Sequence, residues 1–141
     1  MESMLAEARR PKLRIVLADD HPEVREQIRE LLASEFDVIG AVSSGQQLVE
    51  AAAALHPDLV VSDIAMPGLD GIEAGRRSLN EGFARAAVLL TMHNDPELLE
   101  KARAAGIAGF VLKVDAGEEL IAAIGEVAAG RTYVSRSVRR E

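Results

Sequence analysis

The chain contains five short apolar runs that recur at regular intervals. They occupy residues 13–18, 36–42, 59–62, 86–91 and 109–113. These runs are rich in Val, Ile and Leu and do not alternate cleanly with polar residues, which is typical of strands buried on both faces. The pattern therefore predicts the five strands of a parallel sheet.

The segments between and after these runs carry apolar residues at helical spacing. Apolar stripes of this kind start at Val24, Leu48, Leu98 and Leu120. A further helix is predicted over residues 72–79, although Gly75 weakens the helix propensity there. Starts and stops are marked by three capping boxes, two prolines and a glycine: Ser44 with Gln47, Asp70 with Glu73, Asp115 with Glu118, Pro22, Pro96 and Gly106.

Strands and helices thus alternate from about residue 12 to residue 129. This order predicts right-handed crossovers and helices on both faces of the sheet. The fold class is α/β, a flavodoxin-like, doubly wound, five-stranded parallel sheet of order 2-1-3-4-5. Residues 1–11 are expected to form a flexible N-terminal extension, and residues 130–141, with four arginines, are expected to be a linker.

Composition excludes several classes of function. The chain has 141 residues and no cysteine, which excludes disulfides, thiol catalysis and thiolate metal sites. A net charge of −7 and an aromatic content of 3% do not favour direct nucleic-acid binding. No apolar run approaches the ~20 residues that span a bilayer. We expect a soluble cytoplasmic protein that makes no contact with a membrane.

Polar residues cluster where the predicted strands end. The first strand is followed by Asp19 and Asp20, and the third, fourth and fifth end in Asp63, Thr91 and Lys113. In a doubly wound sheet a ligand binds outside these carboxyl ends, at the point where the strand order reverses. Adjacent strands lie about 4.8 Å apart, so we expect these side chains to approach one another.

Three carboxylates beside one lysine leave negative charge uncompensated, which a divalent cation would neutralise. Oxygen ligands without cysteine favour Mg²⁺ over Zn²⁺. A cation, the Lys113 ammonium and the Thr91 hydroxyl would together suit a phosphoryl group. Asp63 is central and is the best candidate for a phosphoryl acceptor.

Each of these residues also has an ordinary structural interpretation. Asp19 and Asp20 could cap the first helix, and Thr91 could be a plain β-branched strand residue. Lys113 could be a counter-ion for Asp63 without any phosphate. The coincidence of all of them at neighbouring strand ends favours a functional site.

The strand-end motifs resemble the receiver domain of two-component response regulators, of the LuxR/NarL/FixJ type. They are Ala18-Asp19-Asp20-His21-Pro22, Ser62-Asp63-Ile64-Ala65-Met66-Pro67-Gly68-Leu69-Asp70-Gly71, Leu90-Thr91-Met92-His93 and Gly109-Phe110-Val111-Leu112-Lys113. The resemblance extends over residues 13–135, nearly the whole chain, and implies the CheY-like variant of the predicted fold. It departs at Met92 and at Val114, where many receivers have a smaller residue and a proline.

The resemblance implies a role for each matching residue. Asp63 would be the phospho-acceptor, and Mg²⁺ would be held by Asp19, Asp20, Asp63 and the backbone carbonyl of Ala65. Lys113 would pair with the phosphoryl group. Thr91 and Phe110 would be the switch residues that move when the domain is activated.

The resemblance also implies partners. A sensor histidine kinase would donate the phosphoryl group. Phosphorylation would then change the conformation of the binding face formed by the fourth helix, fifth strand and fifth helix. Homodimers would form on phosphorylation, with the first and fifth helices as candidate surfaces. DNA would be bound only through a C-terminal helix-turn-helix domain that this chain lacks, so we expect an excised receiver whose tail is the linker to that domain.

Two other functions remain open on the sequence alone. One is a protein-binding module of the same fold that is never phosphorylated. The other is a haloacid-dehalogenase-like phosphatase, which would need its nucleophile at the end of the first strand and a second Asp two positions later. Here Asp19 is followed at that spacing by His21, and Asp63 by Ala65. We therefore expect a switch and not an enzyme.

Overall fold

A computed structural model describes residues 12–139 of the chain. The strands are β1 (Arg14–Ala18), β2 (Asp37–Val42), β3 (Leu59–Asp63), β4 (Ala86–Thr91), β5 (Gly109–Leu112) and β6 (Tyr133–Val134). The helices are α1 (Pro22–Ala33), α2 (Gly45–Leu55), α3 (Gly71–Asn80), α4 (Pro96–Ala104), α5 (Ala116–Ala128) and α6 (Arg136–Arg139). A 3₁₀ turn, Lys113–Asp115, joins β5 to α5. The predicted extension over residues 1–11 lies outside the described residues.

All strands pair in parallel, in the order β2-β1-β3-β4-β5-β6. The α/β class, the parallel sheet and the order of the first five strands are confirmed. The prediction of five strands is wrong by one, because β6 adds a sixth at the edge beside β5. The sixth strand lies within the segment that the sequence predicts to be a linker.

Helices cover both faces of the sheet. In β1, Ile15 and Leu17 face the cluster that packs against α1 and α5. Val16 and Ala18 face the opposite cluster, which packs against α2, α3 and α4. All four side chains are fully buried, which explains why the strand carries no alternating polar pattern.

The helix ends follow the sequence signals at all but one position. Ser44 and Asp70 accept hydrogen bonds from the backbone N–H groups of Gln47 and Glu73. The capping box predicted at Asp115 is wrong, because the Asp115 side chain makes no capping hydrogen bond. The preceding 3₁₀ turn gives Asp115 a helical backbone, whereas a capping residue ordinarily has an extended one.

Gly75 lies inside α3 because the helix packs closely on its neighbours. A Cβ at this position would lie 3.0 Å from the Cδ1 of Ile107. The close approach offsets the low helix propensity of glycine. The predicted helix over residues 72–79 is therefore present, and its glycine serves packing.

The C-terminal tail is attached to β5 and α5 through buried polar contacts. The backbone N–H of Leu112 donates to the hydroxyl of the fully buried Ser135 at 2.9 Å. The Tyr133 hydroxyl donates to the buried carboxylate of Glu119, which also accepts from the backbone N–H of Arg136. The residue bonded to Ser135 immediately precedes Lys113, so the tail is anchored beside the predicted site.

Replacing Ser135 with alanine should lower the free energy of unfolding by about 1–3 kcal/mol, because the buried Leu112 N–H would lose its acceptor. Urea denaturation of wild type and variant measures this difference. Ser137→Ala is the matched control, since Ser137 is exposed in the same segment. Equal stability of the Ser135 and Ser137 variants would contradict the anchoring role.

Candidate phosphoryl-acceptor site

The candidate site lies at the carboxyl ends of β1, β3, β4 and β5. Strand order reverses at β1, which pairs with β2 on one side and β3 on the other. Ala18 pairs with Ser62, so the next residues, Asp19 directly after β1 and Asp63 at the end of β3, lie side by side. Doubly wound sheets place their ligands in the crevice at such a point.

Lys113 connects the carboxylates across the sheet. Its Nζ lies 3.0 Å from Asp19 Oδ2 and 3.1 Å from Asp63 Oδ2. The side chain is only 11% exposed, while Asp19 is fully buried and Asp63 is 3% exposed. The structure thus brings the predicted lysine and two of the three predicted carboxylates into direct contact, in a largely desolvated place.

The Asp19 carboxylate is fully satisfied, whereas that of Asp20 is not. Asp19 Oδ1 accepts the backbone N–H of His21 at 2.9 Å, and Oδ2 accepts from Lys113. The Oδ1 atom of Asp20 is buried and accepts no hydrogen bond within the described part of the chain. The capping residue of α1 is His21, which makes no side-chain cap, so the structure does not support the alternative that the two aspartates cap this helix.

Burial sets the protonation behaviour of the acceptor candidate. Desolvation raises the pKa of Asp63 above its ordinary value, and this effect outweighs the opposing influence of Lys113. The negative charges of Asp19 and Asp20 raise it further. For Lys113, burial alone would lower the pKa, but the hydrogen bonds and charges of Asp19 and Asp63 together raise it, so the ammonium stays charged.

The donor set fits a small divalent cation. One ligand atom each from Asp19, Asp20, His21 and Asp63 lies within 4.8 Å of the others. With bonds of about 2.1 Å, adjacent ligands of an octahedral ion lie about 3.0 Å apart and opposite ones about 4.2 Å apart. The buried Asp20 Oδ1, which accepts no hydrogen bond from the described residues, is an oxygen that such an ion would satisfy.

Thr91 and Phe110, the predicted switch residues, lie on β4 and β5. Thr91 is buried at the end of β4, and its hydroxyl accepts the backbone N–H of His93 at 3.1 Å. Phe110 is buried in the cluster on the side of α2, α3 and α4. Ala65 lies in the exposed loop after β3, whereas Met92 and Val114 are strongly exposed beside the site.

Two glycines hold the loop behind Asp63, and sequence reasoning did not single them out. A Cβ on Gly71 would lie 2.0 Å from the backbone carbonyl oxygen of Asp63. A Cβ on Gly45 would lie 2.1 Å from the carbonyl oxygen of Leu69. Their only sequence signal is a glycine directly after a helix cap, in Asp70-Gly71 and Ser44-Gly45. Both allow the starts of α2 and α3 to close against this loop.

With this fold and site, the chain belongs to the family described as the response regulator receiver domain, which matches residues 15–125. Its relatives are response regulators of the LuxR/NarL type, which are signalling proteins. The transcriptional regulatory protein MctR of Rhizobium johnstonii is 35% identical over 92% of this chain and 61% of the relative. The nitrate/nitrite response regulator protein NarL of Escherichia coli is 32% identical over 88% of this chain and 58% of the relative.

Solved structures agree with this assignment. A two-component response regulator of the LuxR family from Aurantimonas is 34% identical, with a TM-score of 0.86 over 92% of this chain and 94% of that one. The chain spans about three fifths of the length of the curated relatives named above.

Within residues 12–139 no helix is both long and apolar enough to cross a membrane. The family match favours the receiver over the phosphatase alternative.

Proposed function

We propose that Asp63 accepts a phosphoryl group from a phosphohistidine of a sensor histidine kinase in a Mg²⁺-dependent reaction. A carboxylate oxygen of Asp63 attacks phosphorus and the P–N bond breaks. The leaving ring nitrogen keeps the electron pair, and the imidazole is neutral because its other ring nitrogen already carries a proton. The observation that supports this best is the contact of Lys113 with the buried Asp63, next to the buried Asp19 and the partly exposed Asp20.

Each side chain contributes to the transfer in a different way. Lys113 lies where its ammonium neutralises oxygens of the incoming phosphoryl group and holds Asp63 in place. Asp19 fixes Lys113 from the other side. When bound by Asp19, Asp20, Asp63 and the Ala65 carbonyl, Mg²⁺ supplies positive charge for the phosphoryl oxygens.

The switch follows from the hydrogen bond of Thr91. Its hydroxyl holds the backbone of His93, in the loop that leads into α4. A phosphoryl group on Asp63 offers stronger acceptor oxygens, so Thr91 turns toward it and releases this loop. The face formed by α4, β5 and α5 then changes, and Phe110 on β5 moves with it.

The output is control of dimerisation and of a DNA-binding helix-turn-helix domain in the parent protein. In the apolar stripes of α1 and α5, Ile28, Ile124 and Val127 are buried in the core. Val24, Leu31 and Ile121 are only partly buried and form the candidate dimer surface. The anchored tail around β6 is therefore a candidate route for the signal to the output domain.

Intact mass spectrometry after incubation with Mg²⁺ and a small phosphodonor tests the proposed function. The expected result is one phosphoryl adduct that is removed by hydroxylamine, as an acyl phosphate is, and that does not form in EDTA. No adduct on a folded protein that binds Mg²⁺ would favour a binding module that is never phosphorylated.

Replacing Asp20 with asparagine should weaken Mg²⁺ binding by about tenfold or more, because one charged oxygen ligand is lost. Without Mg²⁺ the variant should be no less stable than wild type, since Asp20 Oδ1 accepts no hydrogen bond that the fold would lose. Calorimetric titration and thermal unfolding measure the two effects. Asp37→Asn, on the exposed start of β2, is the control. Unchanged Mg²⁺ affinity in Asp20→Asn would place the cation elsewhere.

A further inference from the structure

His21 lies directly beside the carboxylates, although the proposed mechanism gives it no role. Its backbone N–H donates to Asp19 Oδ1, which fixes the residue at the start of α1. Its Nδ1 lies 3.1 Å from Asp20 Oδ1 and 3.4 Å from Asp19 Oδ1. The side chain is 66% exposed, so the ring approaches the cluster from the solvent side.

The contact between His21 and Asp20 does not have the geometry of a hydrogen bond. Asp20 Oδ1 accepts no hydrogen bond within residues 12–139, although Nδ1 lies 3.1 Å away. This separation matches the roughly 3.0 Å between adjacent ligands of one octahedral ion. A carboxylate oxygen without a hydrogen bond and a ring nitrogen at this distance can both bind one cation placed between them.

We propose that His21, through Nδ1, is a further ligand of the cation site and shifts its selectivity from Mg²⁺ toward first-row transition metals such as Ni²⁺ and Co²⁺. This inference rests on the location of the cation in the proposed function. Imidazole binds Ni²⁺ and Co²⁺ well, whereas Mg²⁺ prefers oxygen ligands and retains water. Loss of the ring therefore affects the two kinds of metal unequally.

The competing explanation is that the imidazole only screens or orients the aspartates. In that case its removal changes the affinity for every divalent cation by a similar factor. Because the side chain is 66% exposed, its removal should leave the fold intact. Selectivity between two metals therefore distinguishes ligation from general electrostatics.

The test compares wild type, His21→Ala and His93→Ala by calorimetric titration with Mg²⁺ and with Ni²⁺, at a pH above the ordinary histidine pKa of about 6.5. His93 is the matched control, since it is an exposed histidine after β4 whose hydrogen bonds with Thr91 involve only its backbone. His21→Ala should weaken Ni²⁺ binding by about tenfold and Mg²⁺ binding by less than about threefold. His93→Ala should change neither.

The visible absorption of bound Co²⁺ gives a second readout, because it depends on the donor atoms. The spectrum of His21→Ala should differ from that of wild type and of His93→Ala. The inference would be overturned if His21→Ala lost Ni²⁺ and Mg²⁺ affinity equally, or lost neither, and kept the wild-type Co²⁺ spectrum. That result would leave the proposed function intact. If wild type bound no divalent cation, or Asp20→Asn left Mg²⁺ affinity unchanged, the cation site itself would be wrong.

Discussion

Replacing Asp63 with asparagine is expected to abolish the phosphoryl adduct completely while making the unphosphorylated protein more stable. The amide has no nucleophilic carboxylate oxygen. Among the described residues Lys113 contacts two carboxylates, those of Asp19 and Asp63, and of these only Asp63 lies at the end of β3. Loss of activity therefore accompanies a gain in stability, which a variant that merely fails to fold would not show.

The gain in stability follows from the raised pKa of Asp63. A carboxyl whose folded-state pKa is raised binds its proton more tightly in the folded chain, so stability falls as pH rises above the ordinary value of 3.8. At neutral pH the folded wild type is destabilised by the full free energy of keeping Asp63 ionised in a buried place. The asparagine side chain is uncharged and has no such penalty. We expect the variant to be more stable than wild type at pH 7, with a smaller difference in acid.

Chemical denaturation in EDTA at several pH values measures this difference. Asp95→Asn is the matched control, because Asp95 caps α4 and asparagine caps equally well. It should keep both the adduct and the wild-type stability. A full adduct on Asp63→Asn would show that another residue accepts the phosphoryl group.

Replacing Lys113 with methionine should lower the free energy of unfolding in EDTA by about 3 kcal/mol, since removal of one partner leaves a buried charge uncompensated. Asp19 is fully buried and pairs with Lys113 Nζ at 3.0 Å, whereas Nδ1 of the exposed His21 lies 3.4 Å from its other oxygen. Asp63 would lose its cationic neighbour as well. Saturating Mg²⁺ should recover part of the loss, because a divalent cation offsets the same charges.

Lys101→Met is the control for this prediction, since Lys101 is exposed on α4. The double variant Asp19→Asn with Lys113→Met should be more stable than Lys113→Met alone, because the uncompensated carboxylate is gone. If Lys113→Met were as stable as Lys101→Met, the ion pairs would have no energetic importance and the electrostatic account of the site would fail.

The apolar runs predict the first five strands well because a strand buried on both faces has a nearly continuous hydrophobic pattern. The site residues follow from the same reasoning, since Asp19, Asp63 and Lys113 each border a strand end and parallel strand ends share an edge. The positions of these residues relative to the apolar runs therefore predict much of the candidate site.

The remaining features depend on contacts between distant parts of the chain. The strand β6 has two residues and no periodicity, and it forms because Tyr133 and Ser135 find partners on α5 and β5. Gly71 is needed because of the Asp63 carbonyl, eight residues earlier, and no local pattern shows that clash. The nearness of His21 to Asp20 also depends on how α1 starts, which the sequence does not specify.

The central claim is that the phosphoryl group is carried by Asp63, and chemical mapping of the modified residue tests it most directly. Borohydride reduction of an aspartyl phosphate converts the residue to homoserine, which peptide mass spectrometry locates. After incubation with Mg²⁺ and a phosphodonor, we expect homoserine at position 63 and unmodified aspartate at positions 19 and 20. Homoserine at either of those positions, or none on a protein that carries the adduct, would contradict it.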